Sequence, residues 1–577
     1  MRTLTTLDAL IISVYLLVVF LLGLYATKRA SRSVDDFFVG NRSLPWWLLG
    51  ISMAATNYSI DTPLAISKLV LQEGVAGVWF WWAGSLSALL VAFLFSRLWR
   101  RAGVITDAEI VELRYGGRSA AALRLFKGFY FGVLFNVVIM AWVFLALHKV
   151  LGALTTLPPT PLLIGATCLA FIYTVASGIY GVIVTDLVQY VVATIGALLI
   201  AAYAVAHVGG FEALWAALAE APAGLTRFVG SSTVDGASGE GGALTLPLSV
   251  FLTYTLMKWW AHKWADGGGK HIQRMLSARD ERHALAATCF FALNAVLVVW
   301  PWILTALCAY ITFGPLADPE LAYPKMMATA LPTGVLGLSV ACLAGAFMST
   351  IDTHLNLGAS YLINDIYRRF LVSDRDESHY VLMARLAMAL LLALSVLVSF
   401  HIDSVAGAWR FLITFAGGAG VTWIIRWFWW RANAWTEFSA MLASGLIASA
   451  LQIWAPGLLF SSKMLLTVFG SAMIWLPVTL WTAPVDEATL CRFLQRVRPG
   501  TFGWSRQYQA LSLEAEPYLG RALIAWFLSV IALFSLNFAI GAALLGEQGL
   551  ALGLALLSIA VSFVAWPRWV QLAKTSG

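Results

Sequence analysis

The sequence predicts an all-α polytopic membrane protein, and three observations predict it. The 577 residues are 60% hydrophobic and only 12% charged, the mean hydropathy is +0.81, and apolar stretches recur from Leu7 to Trp566. A soluble chain of average usage carries about twice that charge. A bilayer crossing needs roughly 20 apolar residues, and about fifteen such stretches can be counted. Lipid offers the backbone no hydrogen-bond partner, so each stretch must satisfy itself as a helix. A transmembrane β-barrel would show short alternating segments instead.

The first stretch, LDALIISVYLLVVFLLGLYA (7–26), is too long for a signal-peptide core and no small-residue cleavage site follows it, so it reads as a retained span. Placing the N-terminus outside puts Lys28, Arg29, Arg32 and Arg42 on an inner connection. Arg100, Arg101, Arg114 and Arg118 follow on the next, then Arg274, Arg279 and Arg282, then Arg368 and Arg369, then Arg492, Arg496 and Arg498. The outer connections are nearly bare: the one from about Val208 to Ala243 has only Arg227, and that from Gly314 to Thr333 has Lys325 against Asp318 and Glu320. The asymmetry predicts a cytoplasmic C-terminus and makes the net charge of +7 a topology signal, with no call for nucleic acid.

Between the spans there is little room for a soluble domain. The longest polar stretches are the loop GSSTVDGASGEGGA (230–243), the segment Arg101 to Lys127 and the segment Asp486 to Arg521. None contains a nucleotide loop, so an ATP-driven pump is excluded and any energy must come from an ion or solute gradient. The five cysteines, Cys168, Cys289, Cys308, Cys342 and Cys491, are scattered, without a disulfide framework or metal spacing.

Two stretches break the apolar rule. GISMAATNYSIDTPLA (50–65) places Thr56, Asn57 and Asp61 at bilayer depth, and Pro63 with the small residues Ala54 and Ala55 weakens the helix there. Polar groups at that depth mark a site by default, and freed carbonyls are tolerated only where they line a cavity or hold an ion. Close packing of a small-residue helix is the competing reading. The second stretch, residues 337 to 370, sets Ser349, Thr350, Asp352, Thr353, His354 and Asn356 toward one half of a span. Hydroxyls with unwound carbonyls offer sodium hard, neutral oxygens; the competing reading is Ser/Thr bonding back to its own helix.

DDFFVGNRSLPWWLLGISMAATNYS (35–59), GIYGVIVTDLVQYVVATIG (178–196), HIQRMLSARDERHA (271–284) and AGAFMSTIDTHLN (344–356) resemble, in order and spacing, hallmark segments of the sodium:solute symporter family, whose sodium/glucose and sodium/proline-type members are transporters and not enzymes. The similarity runs from about Leu7 through Trp429. It implies an inverted-repeat, leucine-transporter-like fold of five plus five helices, with one leading and several trailing helices. On that reading residues 1–44 hold the leading helix and an inner loop, 45–208 the first repeat, 209–244 an extracellular loop, 245–430 the second repeat and 431–577 accessory helices. The first helix of each repeat, around Ala55 to Ser59 and Lys258 to Trp264, would be broken.

Carried over residue by residue, the family's sodium site falls on the carbonyls of Ala55, Tyr58 and Ala346 and the hydroxyls of Ser349 and Thr350. Asp186 matches an acidic residue on the sodium release path or at a second sodium site, or else is a structural pair. The solute site falls on Asn57, Asp61, Thr62, Trp81, Trp82, Lys258, His262 and Trp264, with Trp264 near the aromatic inner gate of the sugar members. Here the chain departs from its relatives: Asn57 replaces an Asp of some proline-type members, and KWWAHKWADGGGK (258–270) carries cations where sugar members have amides and tyrosines. Aromatic walls with cations suit a sugar, a sugar acid or another organic anion. Lys263, Lys270 and most of the 26 tryptophans read instead as interfacial anchors.

The resemblance therefore implies sodium-coupled symport by alternating access, with sodium as the co-transported ion, a small-molecule solute and the bilayer as partners, and no nucleotide. A passive or proton-coupled transporter of the same fold is the alternative. A solute-sensing membrane protein fused to a catalytic domain is a weaker expectation, because few residues follow Pro567. A bacterial inner membrane is the expected location.

Overall fold

The computed structural model describes residues 3–26, 38, 42–231, 246–514 and 518–575. Lys28, Arg29, Arg32, the start of the first hallmark segment and most of the loop 230–243 lie outside the described residues. The described residues are helical with short connections, and their only ladder-like pairing is two isolated bridges, Leu44 with Ala278 and Ser231 with Pro247.

The leading helix α1 spans Thr6–Ala26. Next come α2 (Trp46–Asn57) and α3 (Asp61–Glu73), separated by three non-helical residues. The helical runs α4 (Val75–Ala102) and α5 (Gly117–Leu154) follow, then α6 (Pro159–His207). At 1.5 Å per residue, the 49 residues of α6 extend about 73 Å, more than twice the roughly 30 Å hydrocarbon core, and its two apolar windows are Pro159–Ile172 and Gly181–His207. A second interrupted pair, α7 (Leu248–Met257) and α8 (Gly269–Ser277), flanks non-helical residues 258–268. The remaining long elements are α9 (Glu281–Phe313), α10 (Val335–Leu371), α11 (Glu377–Ser399), α12 (Val405–Phe428), α13 (Ala434–Trp454), α14 (Phe460–Trp481), α15 (Tyr518–Leu544) and α16 (Gln548–Thr575).

Among the described residues, eleven helices are long and apolar enough to cross a membrane, and three shorter apolar helices accompany them. The expected number of spans, about fifteen, exceeds these eleven; the short helices and the interrupted pair α2–α3 are further apolar stretches below that length. Local chemistry sets the boundaries. Asp280 caps α9 by accepting from the His283 amide, Ser404 caps α12 through the Gly407 amide, and Asn433 with Thr436 forms a reciprocal cap on α13.

The pattern of burial separates scaffold from periphery. In their most apolar windows, α4 and α10 are each 83% buried, whereas α11 is 28% and α16 is 17% buried. The central helices carry the polar residues and the outer ones offer leucine and phenylalanine to lipid. Helix α10 packs along α6, α1 and α2, and α15 pairs with α16 at the edge.

Candidate ion and solute site

The interruption after α2 frees specific backbone oxygens. In an unbroken helix the Ser59 amide would donate to Ala55 and the Thr62 amide to Tyr58. Instead the Ser59 amide donates to Thr62 Oγ1 at 3.3 Å, and the Thr62 amide to the Ser59 carbonyl at 3.1 Å. Ala55 and Tyr58, two of the three carbonyls expected to hold sodium, therefore lose their helical donors. The Tyr58 side chain is turned away, donating to the Ala193 carbonyl at 2.7 Å with its ring edge-on to Trp302, so this residue would offer the ion backbone only.

On α10 the hydroxyls of Ser349 and Thr350 are buried. Thr350 Oγ1 bonds back to the Ala346 carbonyl at 3.1 Å, and Ser349 Oγ donates to Asp186 Oδ1 at 2.5 Å. Each hydroxyl spends its proton and keeps lone pairs, which is the form in which a hydroxyl ligates a cation. Back-bonding and ion ligation, weighed as competing readings of the sequence, are thus compatible.

The other oxygen of Asp186 on α6, Oδ2, accepts from Ser52 Oγ of α2 at 2.5 Å, and Arg274 Nη2 of α8 lies 3.7 Å from that same oxygen. The Arg274 guanidinium donates further to Thr353 Oγ1 at 2.7 Å and to Ser52 Oγ at 3.2 Å. This corrects the reading of Arg274 as a charge on an inner connection. It is fully buried, and a buried guanidinium persists only with paired oxygens around it.

A cavity of about 150 Å³ lies between the two interruptions. Of the predicted solute contacts, Asn57, Asp61, Thr62, Trp81, Lys258, His262 and Trp264 line it, together with Thr350 of the sodium set. Trp82 does not. It is wholly buried against Trp79, Trp300 and Phe538, because successive residues on a helix face different directions and only Trp81 of the pair faces inward. The indole of Trp81 donates to the Ala295 carbonyl at 3.0 Å and meets Trp409 at 5.5 Å. Trp409 in turn donates to Asp61 Oδ2 at 3.1 Å, while Asp61 Oδ1 is buried without a hydrogen-bond partner among the described residues.

The second interruption supplies the facing wall. Lys258 donates to the Phe80 carbonyl and sits 4.2 Å from the Phe80 ring centroid. His262 Nε2 is 2.9 Å from the Trp259 carbonyl, and the Trp264 carbonyl accepts from Ser87 Oγ at 3.0 Å. Gly268 takes a φ of +66°, and a Cβ there would fall 2.0 Å from Trp264 Cδ1, so the turn that presents Trp264 requires glycine.

Sequence reasoning missed three groups. Lys263 and Lys270, read as interfacial anchors, both line the cavity, and Lys270 Nζ donates to the Thr56 carbonyl at 3.2 Å. Trp409 closes the wall from α12. The available signal was position: a lysine inside or directly after a glycine-rich interruption is held by the break and cannot extend along a helix toward an interface.

Interrupted paired helices around a cavity lined by aromatic side chains and a few polar ones, inside a bundle of apolar spans, are an architecture suited to a membrane transporter. The model of the sodium:solute symporter family matches residues 37–444, and the chain belongs to that family, whose members carry sodium together with a solute and are not enzymes. It is 24% identical to the sodium/glucose cotransporter of Vibrio parahaemolyticus, over 84% of this chain and 92% of that protein. It is 26% identical to a sodium/mannose cotransporter of Bos taurus, over 78% and 79% of the two chains. In fold it is similar to a Na+-coupled sialic acid symporter in a substrate-bound outward-open state, with a TM-score of 0.70 at 22% identity over 84% of this chain and 99% of the other.

Proposed function

We propose that the protein couples the sodium gradient to uptake of a small polar organic solute, a sugar, sugar acid or other organic anion, by alternating access. Sodium is held by the carbonyls of Ala55, Tyr58 and Ala346 and the hydroxyls of Ser349 and Thr350. The single observation that carries this reading is the pair of carbonyls freed after α2, in a core helix that also lines the cavity. Sodium binding orders the interruption and lowers the cost of the solute-competent state, so solute affinity rises with sodium. Solute in the cavity then closes it from one side, and the two repeats, residues 45–208 and 245–430, rock to open the other. Asp186, one hydrogen bond from Ser349, receives sodium on its way out. The N-terminus faces outward and the C-terminus the cytoplasm, as the arginine asymmetry favours, in a bacterial inner membrane.

A thermal-unfolding series of the purified protein in sodium against potassium, with a solute panel, tests the reading. At sodium a hundredfold above its Kd, native protein gains about 2.7 kcal/mol. Ser349→Ala with Thr350→Ala abolishes that gain. Sodium that leaves the native protein unmoved, or that stabilises the double variant equally, moves a passive or proton-coupled mechanism to the front.

A further inference from the structure

We propose that the cavity selects organic carboxylates of about monosaccharide size over neutral sugars, with Lys263 and Lys270 holding the carboxylate; this rests on the transport reading above and narrows its solute. Three ammonium groups line the cavity, those of Lys258, Lys263 and Lys270, against one carboxylate, Asp61. No described carboxylate oxygen lies within 4.0 Å of any of the three. Lys258 is committed to the Phe80 carbonyl and ring. Lys263 Nζ lies 4.9 Å from the Phe135 ring centroid and 5.8 Å from that of Trp264, aromatic faces that attract a cation without neutralising it. Lys270 donates to one carbonyl, that of Thr56, and an ammonium has three protons to give.

Charge at membrane depth is tolerated when it is paired, and sodium beside Thr350 would add a further positive charge to the same cavity wall. A solute carboxylate supplies the missing negative charge to both. A neutral sugar brings no charge and leaves the three lysines only Asp61 on the cavity wall. The indoles of Trp81 and Trp409 and the ring of Phe135 give the cavity apolar faces that suit the organic body of such a solute and offer nothing to a bare inorganic anion. Asp61 Oδ1, without a hydrogen-bond partner among the described residues, accepts from a hydroxyl of the same solute.

Matched pairs decide the matter: glucose with glucuronate, galactose with galacturonate, and sorbitol with gluconate, each added to the purified full chain in sodium and in potassium, read by melting temperature and tryptophan fluorescence. The acid of at least one pair is expected to bind in sodium only, with its neutral partner at least about tenfold weaker. Lys263→Gln and Lys270→Gln each weaken that acid about 10–100-fold, the sodium shift of each variant being recorded alongside as the check on folding. The comparison on the native protein stands without the variants. If sodium itself fails to act, the sodium-coupled reading falls. If sodium acts but the neutral member binds as well as the acid, or no acid binds, or both variants keep full acid affinity, or iodide displaces the acid at equal concentration, this inference is overturned while sodium coupling survives.

Discussion

Asp186 shows how far a single residue can be read before its neighbours are known. From sequence it reads equally as an ion-path residue and a structural pair, and the structure sets a hydroxyl of the proposed sodium set on one oxygen and a buried guanidinium near the other. Removing one partner of a buried ion pair strands the other's charge, at a cost of about 3–5 kcal/mol. Arg274→Met is therefore expected to lower the unfolding free energy by about that amount, and Arg274→Met combined with Asp186→Asn to recover part of it. Denaturation of the three proteins in one detergent checks this; a double variant no more stable than Arg274→Met would show that the two charges do not compensate each other.

At the scale of the element, the interruptions matter more than the helices. The break after α2 was legible because Pro63 and small residues sit beside Asn57 and Asp61, and the second break because three glycines run together. Its length was not legible: non-helical residues extend from Lys258 to Gly268, longer than the expected Lys258 to Trp264, since the turn into α8 needs the positive φ of Gly267 and Gly268. Gly268→Ala places a Cβ against the Trp264 ring in a backbone conformation disfavoured by about 1–3 kcal/mol. Solute uptake in proteoliposomes is expected to drop several-fold, while the sodium-induced melting shift, which depends on α2 and α10, is retained. Loss of the sodium shift together with uptake would mean that this turn supports the whole bundle and not the cavity alone.

Across the whole molecule, distant segments meet at Glu320, in the short turn Pro319–Leu321 between α9 and α10. Its carboxylate accepts from Lys149 of α5 at 2.6 Å, from Ser404 Oγ at 2.7 Å, and from the amides of Val405 and Ala406 at the start of α12, while Lys68 of α3 lies 3.6 Å away. Burial pushes this carboxyl up, but the hydrogen bonds and charge of Lys149, with those from Ser404 and Ala406, more than offset it and hold Glu320 below the ordinary range. A lowered folded value means that the stabilisation is present above the unfolded pKa of about 4.3 and is lost as pH falls through the folded one. Native protein is therefore expected to lose stability below about pH 4.3, and Glu320→Gln to be less stable at pH 7 by about 1–3 kcal/mol with a flatter acid limb. Melting temperatures of both proteins between pH 3 and pH 7 test it; parallel curves would place the acid sensitivity elsewhere.

Much was determined by the sequence alone. Hydropathy dictated helices, since lipid leaves the backbone no other satisfied form, and polar residues at bilayer depth in residues 50–65 and 337–370 marked the central elements. Four ordered segments carried the family. What only the tertiary structure decided was which side chains face the cavity and which are buried in the core. It turned Trp81 into the cavity and Trp82 into the core, brought Lys263 and Lys270 in from where interfacial anchors would lie, and buried Arg274 against Asp186. The physical reason is that a helix period fixes only how neighbouring residues face relative to one another: Trp81 and Trp82 must diverge, but which of them meets the cavity is set by the elements packed opposite, as it is for Lys270 and Arg274 on α8. In a break, where Lys263 lies, there is no period at all, and the direction is set by which carbonyl or ring of another element stands opposite.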